Sequence, residues 1–243
     1  MVRRGAAPRG TSVPGCGPAP ALGARRRPRG YAPVVTHPSR SIRVARLACV
    51  LVVFAFAIAG CGPAGATFDP SGACVADGKA PGAYPALEAL VPRQFDGRAP
   101  DVVDSGRDCS ERALGALVAH DVAELRFAGA TWHVGAADGV TFAILSLPDT
   151  ALPVGWAEEF YEVGARNARK TEHIETSRPL IDGIGPVFRL DTLNDLSYQT
   201  VVVWPDGEVA RVVIVASSIV DLESKGPHDA VVARALGDAS GSD

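Results

Sequence analysis

Lysine, methionine and aromatic residues are scarce: the 243 residues include three Lys, one Met and 6% Phe, Trp and Tyr. No uncharged apolar run reaches the roughly 20 residues that a membrane-spanning helix needs, which excludes a multi-span membrane protein. Acidic residues are absent from positions 1–60, where ten Arg stand. The overall formal charge of -3 conceals this asymmetry, because 14 Lys and Arg face 27 Asp and Glu after position 60, a net of -13. An acidic body lacks the clustered cationic surface that phosphates require, so nucleic acid is excluded as a partner. H-E-x-x-H, G-x-S-x-G and P-loop patterns are also missing. Without them no catalytic residue, cofactor or metal site is assigned, and an enzyme is the least favoured reading.

What is present begins with residues 47–60 (LACVLVVFAFAIAG), an uncharged run of signal-peptide length preceded by Arg40, Arg43 and Arg46. Positive charge before such a run stays on the cytoplasmic side and sends the following chain outward. The run closes on Ile58, Ala59, Gly60 and Cys61. Here the chain resembles bacterial lipoprotein precursors, whose lipobox is an aliphatic residue, two small residues and Cys. The resemblance implies cleavage before Cys61, a diacylglycerol on its thiol, and anchorage at the extracytoplasmic face of the bacterial cell membrane. Two or three acyl chains hold a protein at a bilayer where one binds only reversibly. An ordinary signal peptide and an uncleaved anchor helix are the alternatives. The Pro, Gly and Arg-rich residues 1–33 depart from the family pattern, and a start near Val34 or Val35 is expected.

Of the five Cys, Cys16 and Cys49 would leave with the leader and Cys61 would carry lipid, so Cys74 and Cys109 remain. In an oxidising compartment a disulfide between them is the simplest arithmetic, with two buried free thiols as the alternative. Residues 62–83 are rich in Gly, Ala and Pro and have no apolar period, so they are expected to be a tether. The expected organisation is a signal peptide over 1–60, a lipid-anchored tether over 61–83, one domain over 84–237 and a disordered tail over 238–243.

Within the domain, helices are expected near 84–91, 110–120, 156–169 and 228–236, and strands near 102–103, 125–134, 140–147, 172–177, 187–190, 198–204 and 208–217. Leu125 and Phe127 alternate in one phase and Ala130, Trp132 and Val134 in the other, so a bulge is expected at Gly129. Pro205, Asp206 and Gly207 mark the clearest turn. The expected fold is α+β, an antiparallel sheet of about six strands with helices packed on it. Its element order is similar to Mog1/PsbP-like folds, a likeness of fold without a shared motif.

Candidate binding residues are Trp132, Trp156, Tyr161 and Trp204, which could line an apolar pocket between the long helix and the sheet. His173 and Glu175 lie two apart on a strand, a spacing that could hold a metal or simply mark a solvated edge. His120 sits at a helix end, where the dipole favours an imidazolium. His133 is expected at the surface, as are Glu158, Glu159 and Glu162. These features leave three function classes: an envelope binding or sensing lipoprotein, an accessory subunit docked on another envelope protein, and an enzyme.

Overall fold

The computed structural model describes residues 68–135, 138–194, 197–218 and 225–240. The leader, the lipobox and Cys61 lie outside the described residues. In chain order the elements are β1 (Gly78–Ala80), α1 (Pro85–Glu88), β2 (Val102–Asp108), α2 (Glu111–Leu114) with a 3-10 turn at Gly115–His120, and β3 (Leu125–His133). β4 (Gly139–Ser146), α3 (Val154–Asn167), β5 (Thr171–Ser177), β6 (Leu180–Ile181), β7 (Gly185–Pro186) and β8 (Phe188–Asn194) follow. β9 (Tyr198–Asp206), β10 (Val209–Ser217) and α4 (Gly226–Ser240) complete the order.

One antiparallel sheet of eight strands runs in the order β1-β2-β3-β4-β10-β9-β8-β5, and β6 and β7 form a separate ribbon. An antiparallel sheet with helices is the expected class, but the strand count exceeds six. β1 comes from the expected tether, where Gly, Lys and Ala carry no strand signal. β2 continues past Val103 through Ser105, Gly106, Arg107 and Asp108, which also lack an apolar alternation. Partners rather than propensity make these strands: β2 pairs with β3 along its whole length and lends its other edge to β1.

The expected bulge at Gly129 is absent, since the β3 register runs unbroken from Arg126 to His133 against β4 and from Leu125 to Thr131 against β2. Both phases of the strand are apolar because both faces of the sheet are covered. Leu125 and Phe127 join Ala143, Leu145, Val201, Val203, Val212 and Ile214 on the face under α2 and α3. Ala128, Ala130 and Trp132 join Val140, Phe142, Ile144, Val202 and Val213 on the face under α4. The two apolar layers form a helix-sheet-helix arrangement.

The strands β9 and β10 meet at a tight hairpin in which Val209 pairs with Asp206. Gly207 holds φ +60 there, a left-handed conformation that costs glycine nothing. α3 ends at Asn167, where Ala168 turns extended, and Lys170 follows with φ +67. α4 is longer than expected, because Ala239 is still buried against the core and the helix runs to Ser240. The residues 238–240 assigned to a frayed tail are therefore helical.

Candidate functional site

The four candidate aromatic residues do not share a pocket. Trp132 and Trp204 are buried in the layer under α4, whereas Trp156 and Tyr161 sit on α3 against the opposite face of the sheet. Trp132 is fully buried, donates its indole N–H to the Arg98 carbonyl at 2.8 Å and meets Phe142 edge to face. That is a satisfied core residue. Trp156 stacks on His120 with ring centroids 4.4 Å apart, and Nε2 of that imidazole lies 2.7 Å from Glu159. A separate cleft of about 270 Å³ opens beside α1, lined by Tyr84, Leu87, Arg126, Ser146, Leu147 and Pro148 among others.

The remaining histidine pairs are exposed contacts. His133 bonds Asp101 through both its backbone N–H and its ring, and His173 lies 3.4 Å from Glu175 on the outermost strand β5. No group of three metal-ligating side chains occurs among the described residues. Glu158 departs from expectation: it is buried beside α3's core face and bound by both terminal nitrogens of Arg178, while Glu159 and Glu162 face outward.

Two buried polar groupings emerge instead. The first secures residues 68–80. Cys74 and Cys109 form a disulfide with their Cα atoms 5.6 Å apart. Arg107, 4% exposed, donates to the carbonyls of Asp69, Gly72 and Ala73 at 2.6–3.0 Å and lies over the Phe68 ring. Asp77 accepts from the backbone N–H groups of Cys109 and Ser110 and from the Ser110 hydroxyl. Ser110 in turn caps α2 by accepting from Ala113. Residues 68–80 are thus strapped to the domain, and the part of the expected tether beyond residue 67 is a built edge of the sheet. The compositional signal misled because a single buried guanidinium with its fork of donors can hold several residues of irregular chain.

Next to this strap lies Asp108, on the face of the sheet under α3. It is 2% exposed and its Oδ1 has no hydrogen-bond partner among the described residues. Burial, reinforced by the Asp77 carboxylate, pushes its pKa up to about 7. Burial and then the Asp108 carboxyl raise the Tyr161 hydroxyl as well.

The second grouping lies under the first turn of α4. His228 is 1% exposed; its Nδ1 is 2.8 Å from the Ser217 hydroxyl and its Nε2 is 2.8 Å from the Thr200 hydroxyl. Thr200 donates to Asp191 Oδ1 at 2.5 Å, and Arg189 bridges Asp191 to Asp229. Register explains the convergence, because Asp191 opposes Thr200 across β8 and β9, and Thr200 opposes Val215 on β10, two residues before Ser217. The donor count fixes the ring tautomer. Thr200 has one hydrogen and spends it on a carboxylate, so Nε2 must carry the proton donated to Thr200, leaving Nδ1 to accept from Ser217. Burial pushes the His228 pKa down to about 4, against the pull of Asp229 and Asp191.

Sequence reasoning passed over His228, yet a signal existed. Positions 228, 232, 235 and 239 repeat at helical spacing, and all four are buried. A histidine on an otherwise apolar stripe marks a ring whose nitrogens need partners.

No protein-family model, no curated protein and no solved structure matches this chain.

Proposed function

We propose that the chain is an exported bacterial lipoprotein, held through lipid on Cys61 at the extracytoplasmic face of the cell membrane, with a domain that binds or senses rather than catalyses. The observation that carries this reading is the Cys74–Cys109 disulfide. Structural disulfides persist in oxidising compartments, and this one closes within fifteen residues of the lipobox Cys, as an exported chain anchored at its start would use it. The arginine-flanked apolar run of residues 47–60, the lipobox at 58–61 and the acidic body support the same reading. The strap at Arg107 suits it mechanically, since a pull on the anchored end meets the disulfide before it meets the sheet. The fold is proposed to be Mog1/PsbP-like in type.

The accessory-subunit reading gains from one observation. The aromatic residues that would have formed a ligand pocket are divided between two layers, with Trp132 and Trp204 serving as core. A partner that is a protein then needs only a surface of the domain.

Metabolic labelling with a clickable fatty acid tests the anchor. Wild-type chain should take up label and sediment with membranes, and Cys61→Ser should do neither. Label retained by Cys61→Ser, or wild-type chain that is unlabelled and soluble, would overturn the reading.

A further inference from the structure

We propose that α4 is an acid-released latch, held to the sheet at neutral pH by neutral His228 and freed when that ring takes a second proton. The helix meets the sheet along one stripe, His228, Val232, Ala235, Leu236 and Ala239, and His228 is its one titratable member. All of the ring's hydrogen-bonding capacity is spent. Nε2–H donates to Thr200, whose own hydrogen points at Asp191, and Nδ1 accepts from Ser217.

A second proton on Nδ1 would face the hydrogen that Ser217 now donates. Ser217 would have to rotate, and a full charge would stand in a buried site. The groups that face the ring draw that charge only in part. Asp191 on β8 and Asp229 on α4 share the single Arg189 guanidinium, so one of their two negative charges is left to attract an imidazolium. Tyr198 on β9 presents its ring in an edge contact at 4.7 Å. Asp138, before β4, attracts an imidazolium but already accepts from the Ser218 backbone N–H. Burial outweighs these attractions and disfavours the charged ring.

Further along, α4 is held by the buried Val232, Ala235, Leu236 and Ala239, whose contacts do not titrate, and by two exposed contacts, Arg234 to Asp96 at 3.2 Å and the Asp96 N–H to Asp238 at 3.0 Å. Exposed pairs of this kind hold weakly. The buried histidine end therefore sets how docking of the helix depends on pH, while the strands beneath keep their own ladder. Release would bare Val202, Val213 and Val215, an apolar strip of the sheet suited to a hydrophobic partner.

The test is hydrogen exchange by mass spectrometry on the full chain at about pH 7 and about pH 4.5, corrected for intrinsic rates. The proposal expects opening of residues 226–240 to rise roughly 50-fold at the lower pH, from the difference between buried and free imidazole. Protection of β3, β4 and β10 should be unchanged, and His228→Gln should abolish the pH dependence. Equal protection of α4 at both pH values, or loss across all strands together, overturns it. Should His228→Gln fail to fold, NMR of the wild-type imidazole decides. Titration of His228 in step with α4 opening upholds the latch, and titration near pH 6.5 with α4 still docked refutes it.

Discussion

Thr200 Oγ1 stands 2.5 Å from Asp191 Oδ1 and 2.8 Å from His228 Nε2, so a single hydroxyl joins a strand carboxylate to a helix imidazole. Thr200→Val keeps the shape and removes both bonds, leaving the His228 N–H buried without a partner. A loss of about 2–3 kcal/mol in urea unfolding is expected, with Thr200→Ser recovering most of it.

His228 and Asp108, both buried, act in opposite senses. His228 is lowered to about 4, so its contribution is present above about pH 6.5 and is lost as pH falls through 4. Asp108 is raised to about 7, so its contribution is present below about pH 4 and is lost as pH rises through 7. Each spans on the order of 3–4 kcal/mol, and between pH 4 and 6.5 the slopes largely cancel. Asp108→Asn should expose the acid-side fall, and His228→Gln the alkaline-side fall. Urea midpoints for the two variants from pH 4 to 8 would show it; parallel curves would contradict it.

Reduction of the disulfide, or Cys74→Ser with Cys109→Ser, frees a loop closed over 35 residues. The expected cost is about 3–4 kcal/mol by the chain-entropy argument. Arg107→Met removes the donors that hold residues 69–73 and leaves the disulfide in place. Limited proteolysis should then cut before Cys74 in the Arg107 variant and leave the sheet intact.

Arg178 is expected to matter little, although it binds Glu158 with two nitrogens. Its side chain is 65% exposed, and such pairs are worth under about 1 kcal/mol. Glu158→Ala should cost more than Arg178→Ala in thermal unfolding, because the carboxylate is the buried partner.

These effects also mark what the chain discloses before it folds. The apolar runs 201–203 and 212–215 announce central strands, Pro205 to Gly207 announces their turn, and the arithmetic of Cys74 and Cys109 announces their bond. β1 and the far half of β2 give no such notice, since their pairing depends on a disulfide and on Arg107 reaching backbone carbonyls more than thirty residues away. Gly129 looked like a bulge because a strand covered on both faces shows two apolar phases at once. The aromatic candidates failed as a set for a similar reason: residue type foretells burial but not which face of a sheet receives it. Thr200, Ser217 and Asp191 each share their strand with at least one other polar residue, and only the register shows that they converge on His228.

Native mass spectrometry of the chain extracted from its own membranes in mild detergent tests the proposed lipid anchor. The expected result is a polypeptide beginning at Cys61 with added acyl mass and an intact Cys74–Cys109 bond, carrying either a small retained mass or a stoichiometric protein partner. A chain that begins elsewhere and bears no acyl mass would contradict it.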